Sequence, residues 1–180
     1  DCNNFGIVEA DRNTGGIAGA MAIEYSKDPE DDIEKPNALN FTYRTKAILQ
    51  GCINEGEITG KKDCIGGVVG FSEIGTVYEC QNYADIESTN GNYVGGIAGK
   101  SESAIHKSFA KNKLTGKRYI GGISGKANSI TACYTIVNVN GDENVGAICG
   151  DIENKENLYL DFFVDSGLGA VDGISYKSKA

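Results

Sequence analysis

The chain is expected to be all-β. The predicted fold is a parallel β-solenoid of the right-handed β-helix kind, with five to six coils and a period of 25–29 residues. Three observations lead there. A five-residue phrase is written five times, as GGIAG at 15–19, GGVVG at 66–70, GGIAG at 95–99, GGISG at 121–125 and GAICG at 146–150. Its second position falls at Gly16, Gly67, Gly96, Gly122 and Ala147, so the last three steps are 29, 26 and 25 residues and the first, 51, is about two periods. Upstream of each phrase comes a second shared element with period-two alternation and no helical pattern.

The second element reads CNNFGIV at 2–8, CINEGEI at 52–58, CQNYADI at 80–86, SFAKNKL at 108–114 and CYTIVNV at 133–139. Its first residue lies 13 to 15 residues before the first glycine of the phrase. At period two, one face of the third copy carries Cys80, Asn82, Ala84 and Ile86. The equivalents in other copies are small, short polar or, at the last position, aliphatic: Val8, Ile58, Leu114 and Val139. The opposite face is variable and mostly polar, so each copy is a strand with one face buried. The glycine phrase reads as another short strand, with Ile17, Val68, Ile97, Ile123 and Ile148 as its aliphatic column. Leu49, Val77, Ile105 and Ile130 mark a third short strand before the second element. Each paired glycine is expected where the coil turns and backbones approach, because glycine tolerates close contact and unusual φ. A β-sandwich with glycine-rich turns would not repeat its columns so regularly.

Composition agrees with one packed domain over residues 1–180. Hydrophobic residues make up 40%, and the 25 glycines recur in register rather than at every third position, which excludes collagen. A net charge of −8 disfavours nucleic acid as a partner. No run of eighteen apolar residues exists, so no membrane insertion by this segment is expected. The chain starts at Asp1 inside a repeat, which suggests a piece of a longer protein with further repeats or domains. Of six cysteines, Cys2, Cys52, Cys80 and Cys133 share one repeat position, while Cys64 and Cys149 sit elsewhere. No zinc spacing is present, and His106 is the only histidine. Buried free thiols are the expected state, with disulfides between neighbouring coils as the alternative.

Two segments break the pattern. Roughly 23 residues are inserted between Gly19 and Cys52, a loop over about 21–46 that carries both prolines, Pro29 and Pro36. Its acidic run, Asp28, Glu30, Asp31 and Asp32, offers the hard oxygen ligands calcium takes but lacks the spacing of an EF-hand, so a solvated loop is expected. After Gly150, residues 151–180 contain an apolar run from Leu158 to Val164 with no glycine phrase, read as a partial coil that caps the stack.

No nucleophile, metal or phosphate motif appears, and no cofactor is expected. The outward charges Glu55, Glu57, Asp85, Lys111 and Lys113 form a mixed-sign ladder without a recurring acidic pair, so no enzyme activity is expected. Outward aromatics are the candidate binding residues. Tyr93 and Tyr119 hold one repeat position in adjacent coils, Phe109 and Tyr134 another, and Tyr83 is close by. Lys107, Lys111 and Lys117 lie around them. Such columns either brace the sheet or meet a protein or a glycan.

The five glycine phrases, together with the C-x-N elements at 2–4, 52–54 and 80–82, resemble the GLUG-motif family. That resemblance covers most of the chain except residues 20–46. It implies a β-helical repeat from a large bacterial surface protein, such as a putative adhesin or a region attached to an immunoglobulin A peptidase. It carries no known catalytic residues. The function expected is a non-catalytic module of a cell-surface or secreted protein, an adhesin segment or rigid spacer meeting a host-surface protein or glycan. The alternative is a carbohydrate-binding or carbohydrate-cleaving β-helix.

Overall fold

The computed structural model describes residues 1–22 and 47–172. The insertion from residue 23 to 46, with the acidic run at Asp28, Glu30, Asp31 and Asp32, lies outside the described residues. Among these, the strands form three sheets of nine, eight and five strands. Each pairing between consecutive coils is parallel, as in Gln81↔Phe109, Val94↔Ile120 and Lys100↔Lys126. The architecture is therefore the expected β-solenoid, of about four turns. Five stacked levels, joined by four full turns, carry the five glycine phrases, and Gly169–Val171 of a partial further level covers the last of them.

Each level visits the sheets in a fixed order. In the third level, Gln81–Asn82 and Ile86–Ser88 belong to the first sheet, Asn92–Gly95 to the second, and the chain from Ala98 enters the third. The third sheet continues through the predicted Leu49, Val77, Ile105 and Ile130 column, whose registers are Val77↔Leu49, Val77↔Ile105 and Ile105↔Ile130. Val77, Ile105 and Ile130 are wholly buried, and Leu49 is half-buried.

Inside, equivalent residues stack as the alternation predicts. Cys80, Asn82, Ala84 and Ile86 all point inward, and Ile58, Ile86 and Leu114 lie in one aliphatic column at 0–1% exposure. Val139, at the upper end of that column, is half-buried. The core divides in two. One cluster runs through Cys80, Val77, Ile97, Ile105, Ile123 and Ile148, the other through Ile58, Ile65, Ile86, Val94, Leu114 and Ile120.

Polar residues in this core satisfy one another by translation. Asn4 Nδ2 donates to Asn54 Oδ1, and Asn54 Nδ2 donates to Asn82 Oδ1, each at 2.7 Å. The same nitrogens also donate to the carbonyls of Gly6 and Gly56 in their own levels, and Asn82 Nδ2 donates to that of Ala84. A buried amide costs little when its neighbours one level away complete it. The next column works the other way, from backbone to side chain. Cys80 N donates to Ser108 Oγ at 3.2 Å, Ser108 N to Cys133 Sγ at 3.4 Å, and Cys133 N to Asp161 Oδ1 at 2.7 Å.

The glycine phrase does not work entirely as expected. Its paired glycines are not the left-handed residues. Those are the positions two before the first glycine: Asn13, Cys64, Tyr93, Tyr119 and Asn144, with φ of 48, 65, 63, 56 and 54°. A second left-handed column precedes the cysteine position, at Gly51, Glu79, Lys107, Ala132 and Leu160. The glycines are required by crowding instead. A Cβ on Gly96 would run into the carbonyl oxygen of Gly122 and lie 2.6 Å from the Ala110 methyl. Ala147 is tolerated because the level above is one residue short there. Ala147 N donates to Gly169 O, and Ile148 N to the adjacent Ala170 O, leaving no residue opposite Ala147.

The described part of the segment after Gly150 adds short strands to the upper end of the stack. Leu158–Tyr159 pairs with Ile130–Thr131, Phe162–Phe163 pairs with Tyr134–Thr135, and Val171 bridges to Cys149.

Candidate functional site

Alternation along the first sheet sends every second residue outward, and the parallel register aligns these residues into three columns. The first runs Asn3, Ile53, Gln81, Phe109, Tyr134 and Phe162. Two residues along each strand, the second runs Phe5, Glu55, Tyr83, Lys111, Ile136 and Val164. The third runs Ile7, Glu57, Asp85, Lys113 and Asn138. Nine large apolar side chains are exposed among the described residues, and six of them lie on this one face: Phe5, Ile7, Tyr83, Tyr134, Ile136 and Val164. Phe5 and Ile7 are 69% and 70% exposed, too open to be doing core work.

Three of the predicted binding residues meet here. Tyr83 and Phe109 have ring centroids 5.7 Å apart at 60°, and the Tyr83 hydroxyl donates to Gln81 Oε1 at 2.6 Å. Tyr134 stacks on Phe162 at 5.3 Å and 12°. Phe162 extends the aromatic column into the cap. The signal for it was in the sequence, since Asp161 holds the cysteine position and Phe162 therefore follows in the Phe109 column. Lys111 and Lys113 are exposed, and the Lys113 backbone N–H is held by the Asp85 carboxylate at 2.8 Å.

Tyr93 and Tyr119 do not join this face. They belong to the second sheet, at the left-handed corner before the glycine phrase, and stack with centroids 4.9 Å apart at 18°. Each ring thereby covers one face of the other, which is the bracing role. Beside Tyr93 a shallow groove of about 430 Å³ opens onto the third sheet, lined by Lys100, Glu102, Lys126, Asn128 and Glu153 among others. Its cations are already neutralised. Lys100 pairs with Glu102 at 2.8 Å, and Lys126 pairs with Asp151 at 3.0 Å and Glu153 at 3.9 Å. The Asp151 hydrogen bond holds the Lys126 ammonium above its usual pKa. Lys107 is also engaged away from the aromatic columns, with Glu79 at 3.8 Å and the Tyr78 hydroxyl at 2.9 Å.

The cysteines are free, and Cys52, Cys80, Cys133 and Cys149 are buried. Burial pushes the thiols of Cys80 and Cys64 up to about 11 and those of Cys133 and Cys149 up to about 12. At neutral pH they are protonated and poorly nucleophilic. Among the described residues, Asp161 is the other buried titratable group. Loss of hydration raises its carboxyl to about 6 against the hydrogen bonds from Cys133 and Tyr159, and its Oδ2 has no hydrogen-bond partner among the described residues.

Comparison with protein-family models, with curated proteins and with solved structures finds no match, so the site rests on its own geometry.

Proposed function

We propose that this chain is a non-catalytic repeat module of a cell-surface or secreted protein, acting as an adhesion segment or rigid spacer through the outer face of its first sheet. The observation that carries this reading is the collection of six exposed apolar side chains, with Lys111 and Lys113 among them, on one regular face. Large contiguous apolar patches mark contact surfaces. The face repeats every ~4.8 Å along the stack and carries an open groove of about 400 Å³ lined by Lys111, Lys113, Ile136 and Val164, a shape suited to an extended or macromolecular partner. The protonated, buried thiols fit a structural role for the cysteines. The GLUG-like phrases support the surface setting.

The groove beside Tyr93 favours a second reading, carbohydrate recognition. Its charges are internally paired and its rim offers Ser101 and Asn128, a lining suited to a neutral polyhydroxyl ligand. One screen separates the two. The chain is tested against a glycan array and a panel of host-surface proteins, with two variants alongside. Tyr134→Ser with Ile136→Ser should abolish capture if the face is the contact surface. Lys126→Ala with Asn128→Ala should do so if the groove is. Capture unchanged by the first pair, with the β-sheet circular dichroism intact, would remove the face from this role.

A further inference from the structure

We propose that the outer face of the first sheet is the contact surface of a symmetric pair, and that its occupant is a second copy of this chain. This rests on the reading of that face as an interaction surface and names its partner.

The argument is the order of charges along the columns. In the second column Glu55 and Lys111 lie two levels apart, with Tyr83 midway. In the third, Glu57 and Lys113 lie two levels apart, with Asp85 midway. Two copies can be opposed about a two-fold axis that lies in the interface along the strand direction. That operation keeps each column facing itself and reverses the order of levels. With the axis at the level of Tyr83, Glu55 faces Lys111 of the second copy and Glu57 faces its Lys113. Symmetry makes each pair twice, so four opposite-charge pairs form from two columns. The same placement sets Ile53 against Phe109 and Phe5 against Ile136, while Tyr83 meets its own counterpart. Asp85 also meets its counterpart. That repulsion is moderated because each carboxylate already accepts the Lys113 N–H and has the Lys113 column neighbour one level away.

A partner of single charge sign would find half of this face repulsive, whereas the face is complementary to itself with its levels reversed. The dimensions suffice. Five shared levels at ~4.8 Å and about six residues of strand at ~3.3 Å give roughly 500 Å² of face per copy. The total of about 1,000 Å² stands at the lower limit of specific interfaces, which predicts a dimer formed at micromolar or higher concentration rather than an obligate one.

The test is a charge swap on the full chain, read by sedimentation velocity across a concentration series, with circular dichroism as the folding control. Lys111→Glu with Lys113→Glu makes the face wholly acidic. Glu55→Lys with Glu57→Lys makes it predominantly basic. Each double variant alone should dimerise at least about tenfold more weakly than the native chain, because like charges then oppose. An equimolar mixture of the two should restore association, since every inverted pair is again opposite in sign. A native chain that stays monomeric to several hundred micromolar would overturn the proposal, as would dimerisation indifferent to both variants. If the native chain is monomeric while the Tyr134→Ser, Ile136→Ser variant still loses capture of a glycan or host protein, the face remains a contact surface and only its assignment to a second copy fails.

Discussion

Single residues in this molecule are completed by their copies. Asn54 is wholly buried, and its amide is satisfied because Asn4 and Asn82 stand directly below and above it. Asp161 shows what happens where the repeat stops. It occupies the cysteine position of the partial level, accepts the Cys133 N–H, and leaves one carboxylate oxygen buried without a partner among the described residues. Its carboxyl is raised from 3.8 to about 6, so the folded chain holds this proton more tightly than the unfolded one. Above pH 6 both states are ionised and the burial penalty is complete. As pH falls from about 6 to about 4, the folded state protonates first and the penalty is relieved. Linkage puts the whole effect on the order of 3 kcal/mol. Asp161→Asn keeps the acceptor for Cys133 and removes the charge. It should stabilise the protein by about 1–2 kcal/mol at pH 7.5, less than the full amount because the new amide nitrogen lacks a partner, and the gain should vanish at pH 4. Urea unfolding at both pH values checks it; a less stable variant at pH 7.5 would show that the Cys133 hydrogen bond needs the ionised acceptor.

At the scale of the strand, the glycine phrase is a packing device. Its paired glycines let one level lie flat on the next, and the unusual dihedrals fall on bulkier neighbours such as Tyr93 and Tyr119. Non-glycine residues in that conformation cost of order 1 kcal/mol each, and the stacked rings offset part of it. Substitution should therefore be asymmetric. Gly96→Ala drives a methyl into the Gly122 carbonyl and should cost about 3 kcal/mol or more, at the top of the overpacking range. Ala147→Gly only removes a methyl that has room, and should cost about 1 kcal/mol. Thermal unfolding of the two variants side by side measures the difference; equal losses would mean that glycine's flexibility, not crowding, sets the phrase.

For the whole molecule, stability is transmitted level by level, so the ends matter more than in a globular core. The chain from Leu158 to Val171 covers Ile130, Cys133 and Cys149 and pairs the last strand edges. Shortening the chain to residues 1–152 exposes those edges, which present unpaired backbone groups for further strands. The shortened protein should lose its sharp unfolding transition and form oligomers that grow with concentration, seen by size-exclusion chromatography. A monomer of native stability would show that the cap is dispensable.

The solenoid and its inward columns were legible in the sequence because translation forces equivalent residues into equivalent environments; the division into strands was not, since the glycine phrase is shared between the second sheet, which ends at Gly95, and the third, which begins at Ala98. A period and a two-residue alternation then suffice to place Cys80, Asn82, Ala84 and Ile86 inside. The close backbone approach at the paired glycines was legible as well; the unusual φ was not, because it falls two residues earlier, on Asn13, Cys64, Tyr93, Tyr119 and Asn144, and only the course of the backbone shows where the turn takes its left-handed residue. Nor could the sequence separate the aromatics. Tyr93 and Tyr119 share a column just as Phe109 and Tyr134 do, but the bend between the first and second sheets turns one pair to a corner and leaves the other on an open face. Column membership follows from the repeat, which is local information. Which face a column shares, and with which charges, depends on how the coil closes, and that is decided by packing across the whole turn.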